Sequence, residues 1–378
     1  MMSADIAERV RTASARGERL RITGAGTWLD AGRPVADAAP LPLAALTGIV
    51  DYTAGDLTLT ARAGTPLQEI ARVTAAERQF LALDPFGRGE GTIGATVATA
   101  SAGPLAHAFG TPRDAVLGVE AVTGDGSLIR GGGRVVKNVA GFDLTRLLTG
   151  AWGTLGVITE VSVRLRAWPE AEETIALALR NDSAPALAAL LARVRAAEVA
   201  PWALELLSPA LAARLGVAAH PVLLARLGGN EESVRTQRRV FATLAAVVTP
   251  AGDVWAALRA AEPPSAAVVR LSARPSALPI LWRTARDATA SWSGAFTHAS
   301  PGRGIVRAIL PGADAARTSA FLQLIERAGA RYVAERLPAS CWASGVHHDP
   351  VADPLSQRAR EAFDPRRILN PGLLGREP

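Results

Sequence analysis

From Val157 to Arg166 the chain reads VITEVSVRLR, in which Val157, Thr159, Val161, Val163 and Leu165 alternate with Glu160, Ser162, Arg164 and Arg166. Alternation with a period of two fits a half-buried strand, because successive strand side chains leave opposite faces of a sheet. The strand is entered through Gly153-Thr154-Leu155-Gly156, and glycines at such an entry let another backbone or a ligand come close. Short strands punctuated by glycine run from the start of the chain to about residue 168, in RLRITGAGT, LTLTARAGT and LGVEAVTGDGSLI. TGDGS is a hairpin turn, its glycines and aspartate supplying positive φ. This pattern predicts a mixed α+β domain with a glycine-rich surface on one side.

After AWPEAEE the style changes to strands alternating with Ala/Leu-rich helices: TIALALR, PALAALLARVRAA, WALELL, EESVRTQRRVFATLAAV, GIVRAIL. Such alternation predicts a second α+β domain over 169–337, a sheet with helices on one face. The tail, 338–378, contains FDPRRILNPGLLG, a helix stop followed by an Asn-Pro-Gly turn and an apolar end. With 378 residues, 49% of them hydrophobic, the chain has material for two cores.

Several classes of function are disfavoured. The lone cysteine, Cys341, has no intrachain partner, and no Cys/His cluster has zinc-ligand spacing, so no metal is expected. The first twenty residues mix charge and alanine and show no export signal, and Arg193, Arg195 and Glu198 interrupt the longest apolar stretch. A cytoplasmic protein without a transmembrane segment is expected. The net charge of +6 comes from basic residues scattered along the chain, with no basic block, which argues against nucleic acid as a partner. All but one of the 41 basic residues are arginine; the exception is Lys137.

Three glycine segments are candidates for binding. Gly24-Ala25-Gly26-Thr27 follows a strand, where consecutive N–H groups can converge on an anion such as a pyrophosphate. It is not the dinucleotide fingerprint, since Leu29 stands where a third glycine is required. The second segment holds a formal G-x-G-x-x-G at Gly89, Gly91 and Gly94 but lacks the strand and helix of a Rossmann unit. Its run of small residues from Thr92 to Gly103 suits either a large flat ligand or a tightly packed Ala/Gly helix. The third is the entry to the strand at Val157.

Taken together, ITGAGT, GTIGATVATASAG, GTPRDAVLGVEAVTGDG, KNVAGFDLTRLLTGAWGTLGVITEVSVRL and FDPRRILNPG resemble the flavin-binding domain of the vanillyl-alcohol-oxidase and p-cresol-methylhydroxylase (PCMH) type. More narrowly, they resemble the smaller FAD-binding subunit of bacterial glycolate oxidases. The resemblance implies an α+β fold: a two-part PCMH-type FAD-binding domain over 1–168, a cap with an antiparallel sheet over 169–337, and a tail that returns to the FAD domain. It implies FAD with its pyrophosphate at Gly24, Ala25, Gly26 and Thr27 and further contacts from Thr92, Ile93, Gly94, Ala95, Ser101 and Gly103. Gly156, Val157 and Ile158 would add backbone contacts, Asn370 would close the site, and Lys137 and Asn138 would lie near the flavin edge. No histidine occurs in the first loop, so the flavin is expected to be non-covalent. The implied partners are a larger flavoprotein subunit and an iron-sulfur subunit acting on a small 2-hydroxy acid, with peripheral attachment at the inner membrane face through them.

Oxidising a 2-hydroxy acid also requires a group for the carboxylate and a base for the hydroxyl proton. Larger catalytic relatives carry a histidine-rich cap motif and a Gly-Glu-His-Gly element, and this chain has neither. The remaining candidates are Arg270, Arg307 and His298, with the adjacent His347 and His348 in a loop beyond the cap. An FAD-binding subunit that supports chemistry on a partner is therefore expected. A stand-alone FAD-dependent oxidase of a sugar or hydroxy acid, and a flavin-free assembly scaffold, are the alternatives.

Overall fold

The computed structural model describes residues 1–35, 37–87, 91–133, 143–342 and 351–375. Lys137, Asn138, His347 and His348 lie outside these. The chain forms two compact units: Met1–Gly103 with Phe109–Trp168 and His348–Pro378, and Pro104–Ala108 with Pro169–His347. The second unit thus takes in a short segment that the sequence reading leaves with the first domain, and it runs on past 337.

The first unit is built on strands β1 (Leu20–Thr23), β2 (Ala39–Pro42), β3 (Ile49–Thr53), β4 (Thr58–Arg62), β5 (Gln79–Phe80), β6 (Val116–Val122), β7 (Leu128–Gly132), β8 (Val157–Arg164) and β9 (Arg166–Ala167). Five of them form an antiparallel sheet in the order β3-β4-β8-β6-β7, β1 and β2 pair in parallel, and β5 pairs with β9. The alternation read for β8 is broken at Thr159, where the register against β6 shifts, and the strand therefore faces two cores. Ile158, Val161 and Val163 join Leu59, Ile93 and Val97, whereas Val157 joins Ile6, Val10, Leu20 and Leu369. The N-terminal helix Ser3–Arg16 supplies Ile6, Val10 and Ala13 from one face and stops at Gly17, whose φ of 64° is left-handed.

The tail is part of this unit. Leu20 N–H donates to Ile368 C=O at 2.7 Å and Asn370 N–H donates to Leu20 C=O at 2.9 Å, so the tail lies along the free edge of β1.

The second unit carries β10 (Ala171–Ala178), β11 (Ala203–Leu207), β12 (Val222–Gly229), β13 (Val247–Val248), β14 (Ala267–Ser272), β15 (Phe296–Ser300), β16 (Ile305–Leu310) and β17 (Arg331–Arg336). They form one antiparallel sheet in the order β13-β10-β12-β11-β15-β16-β14-β17. The helices Ala184–Ala196, Glu231–Leu244, Leu278–Thr289 and Ala315–Arg327 bring Leu187, Phe241, Trp282 and Phe321 onto the face that carries Leu206, Ala225, Val269 and Ala308. The expected cap with long helices on one face is thus what forms. A short helix, Val254–Arg259, lies on the other face, where Trp255 Nε1 donates to Thr174 of β10 at 2.9 Å.

Candidate functional site

The first unit holds a groove of about 680 Å³, open to solvent at its mouth, at the C-terminal end of β1. One wall is the turn after β1. Gly26 has a φ of 81°, which bends the chain there, and the N–H groups of Gly24, Ala25 and Gly26 donate to nothing among the described residues. Main-chain donors left open beside a groove are the kind of partner an anionic ligand needs.

The second wall is the helix Ile93–Thr99. Thr92 caps it, its hydroxyl accepting from Ala95 N–H at 3.3 Å, and Gly94 lets it approach β4 closely. A Cβ on Gly94 would lie 2.6 Å from Ala63 Cβ. Ala95, Ala98 and Thr99 then face the groove with little bulk.

The third wall is the segment Trp152, Gly153, Gly156 and Ile158, closed by the tail. Asn370 clips it in place: Oδ1 accepts from Ile22 N–H and Nδ2 donates to Trp152 C=O, both at 2.8 Å. Trp152 stands edge-on to Trp28, their ring centroids 5.7 Å apart.

The FAD binding domain family matches residues 2–132 of the chain. Glycolate oxidase subunit GlcE of Escherichia coli (strain K12) is 36% identical over 253 residues, which is 67% of this chain and 67% of that protein. The chain belongs to the PCMH-type FAD-binding flavoproteins, in the family of the glycolate oxidase FAD-binding subunits. Glycolate oxidase subunit GlcD of Bacillus subtilis (strain 168) is 34% identical over 220 residues, and a D-2-hydroxyglutarate dehydrogenase of Xanthomonas citri pv. viticola is 33% identical over 171. Those matches span 46% and 36% of the two proteins, so this chain matches less than half of either. A solved alkyldihydroxyacetonephosphate synthase superposes with a TM-score of 0.70 over 97% of this chain and 73% of its own, at 18% identity, which establishes likeness of fold. As a member of this family the protein is an FAD-dependent oxidoreductase chain.

Residues of the three glycine segments converge on the groove. Gly24, Gly26, Thr27, Thr92, Gly94, Ala95, Gly156, Ile158 and Asn370 line it; Ala25, Ile93, Ser101, Gly103 and Val157 do not. Ile93 and Val157 are turned away by the period of their elements and are fully buried in the two cores. Gly103 is packed on the main chain of Asp84, where a Cβ would lie 1.7 Å from its carbonyl oxygen. Arg21, Trp28 and Trp152 line the groove without having been singled out. One arginine among forty and two scattered tryptophans carry no local signal.

In the cap, neighbouring strands set Leu207, His298, Arg307 and Arg270 side by side, because paired residues of adjacent strands share a face. The sequence reading offered Arg270 and Arg307 as carboxylate binders, and the structure gives them carboxylates of the protein itself. Arg307, 4% exposed, donates to Glu262 and Glu335, and Arg270 donates to the other oxygen of Glu335 at 2.8 Å. Burial alone would lower the Arg307 guanidinium, but the two carboxylates outweigh it and hold its pKa above the ordinary value. Burial likewise acts to raise Glu335, and Arg307 and Arg270 overcome it and keep the carboxyl low. These arginines are internal counter-ions.

His298 is held in the same way. Its Nδ1 lies 3.1 Å from Glu205, which is fully buried and also accepts from Ser300 Oγ. His107 packs on Gly302 of this unit, where a Cβ would come within 2.7 Å of its ring, and burial depresses its pKa. Among the described residues no group of three or more His, Cys, Asp and Glu is placed to hold a metal ion, and no helix is long and apolar enough to cross a membrane.

Proposed function

We propose that this chain is the FAD-holding subunit of a 2-hydroxy-acid dehydrogenase assembly, with FAD in the glycine-walled groove and the principal substrate chemistry on a larger partner flavoprotein. The observation that carries this reading is the contrast between the two units. The groove offers open main-chain donors, small walls and aromatic rings to a large anionic ligand. The cap arginines and His298, in contrast, are already engaged with Glu262, Glu335 and Glu205. The chemistry named for the glycolate oxidase and hydroxyglutarate dehydrogenase relatives supports a 2-hydroxy acid as substrate of the assembly.

When bound, FAD supplies two-electron redox chemistry. In this reading the turn Gly24–Thr27 receives the pyrophosphate, Ala95, Ala98 and Gly153 leave room for the cofactor body, and Asn370 fixes the wall through the main chain it bonds. No histidine, cysteine or tyrosine is among the described residues lining the groove, which supports non-covalent retention. An iron-sulfur subunit and attachment to the inner membrane face belong to the same proposal.

The test is turnover of the purified chain, alone and with a candidate partner flavoprotein, on glycolate and D-lactate with an artificial electron acceptor. The expected result is absorbance near 450 nm from bound FAD, with substrate turnover only in the assembly. Turnover by the isolated chain on the order of 1 s⁻¹ or faster would replace this reading with that of a stand-alone oxidase.

A further inference from the structure

Arg21 is the single charged side chain among the described residues that line the groove; the others are Gly, Ala, Thr, Ile, Leu, Trp and Asn. It has no hydrogen bond and no ion pair among the described residues. Several other shielded arginines have an acid: Arg226 has Glu172, Arg286 has Asp182, Arg307 has Glu262 and Glu335. Burial also depresses the Arg21 guanidinium from its ordinary value, with no carboxylate acting against the loss of water. A guanidinium drawn out of water without a counter-charge is destabilising unless something else supplies the negative charge.

The position of Arg21 shows what that could be. It sits on β1, the strand that ends in the Gly24–Gly26 turn, and both line the same groove. One end of the groove thus combines a fixed positive charge with N–H groups that donate to nothing among the described residues. Planar guanidinium forks and main-chain donors are the two groups that bind phosphate oxygens best.

We propose that Arg21 is the counter-charge for the FAD pyrophosphate and the main electrostatic determinant of FAD retention in this chain. The proposal rests on the placement of FAD in the groove. Arg21 acts by binding: it neutralises phosphate and holds the dinucleotide against the turn, and it moves no proton or electron.

The test is titration of the flavin-free full-length chain with FAD, followed by flavin fluorescence, for wild type, Arg21→Ala and Ala95→Trp at low and high salt. Arg21→Ala is expected to bind FAD about 10- to 100-fold more weakly at low salt, the range of a lost charge-assisted contact. The gap should narrow as salt rises, because ions screen the attraction in the wild type. Circular dichroism checks that the half-exposed substitution leaves the fold intact. FAD affinity within twofold of wild type, or a loss that does not change with salt, overturns the role of Arg21. Ala95→Trp fills the groove with a ring and should abolish binding. If that variant still takes up FAD, the flavin lies elsewhere, and the reading of the groove falls whatever Arg21 does.

Discussion

Replacing Asn370 by alanine removes two hydrogen bonds with one substitution. Its side chain, 3% exposed, accepts from Ile22 N–H and donates to Trp152 C=O, each at 2.8 Å. A buried main-chain group left without a partner destabilises by about 1–3 kcal/mol, and the lower half of that range applies because Ile22 and Trp152 are only half-buried. Asn370 also adopts a φ of 43°, a left-handed conformation that asparagine tolerates better than alanine, which adds about 1 kcal/mol. The expected loss is therefore about 3–5 kcal/mol, confined to the first unit. Urea unfolding followed by tryptophan fluorescence measures it, since Trp28 and Trp152 flank the clipped segment. Asn370→Gly loses the same two bonds without the φ penalty and should unfold about 1 kcal/mol later than Asn370→Ala. An Asn370→Ala midpoint equal to wild type would refute the reasoning, because the tail and the Trp152 turn would then be held together by something other than the amide.

Two further outcomes follow from the packing and the charges. Gly94→Ala should destabilise the first unit by about 1–3 kcal/mol and weaken flavin uptake, because a Cβ there would meet Ala63 Cβ at 2.6 Å and Ala63 O at 2.7 Å and push the helix Ile93–Thr99 toward the groove; denaturation and FAD titration check both. Glu335 has a carboxyl held below its ordinary range in the folded cap, so its contribution is complete above the unfolded value of about 4.3 and is lost as pH falls through the lower folded value. The thermal midpoint of the wild type should therefore fall more steeply below about pH 4.3 than that of Glu335→Gln; parallel curves would count against the Arg307–Glu335 pairing.

Much of this was legible in the sequence because glycine and alternation are local signals. The turn Gly24–Thr27, the small wall at Gly94 and Ala95, and the strand after Gly156 each announced themselves within a few residues. Which way a side chain faces was harder to read: those of Ile93 and Val157 lie in the two cores, while their neighbours Gly94 and Ile158 line the groove. The charge network of the cap was not legible at all. Glu205, Glu262 and Glu335 come from separate elements, and only the register of the sheet reveals that the arginines and histidine of β14, β15 and β16 are answered by them. Arg21 was hidden for the opposite reason, since nothing distinguishes one arginine among forty until its neighbours are known to carry no charge.

The pairing of Leu20 with Leu369 joins positions near the two ends of the described chain. On a ribosome the strand carrying Arg21 and the glycine turn emerges early, but the strip that lies along it and the amide that clips Trp152 are made only after the whole second unit. Closing so long a loop is slow as well as late. The groove is therefore a last-assembled feature built from first-made parts. A chain nicked or stalled ahead of Asn370 would still contain the glycine turn yet lack the clip that fixes the opposite wall.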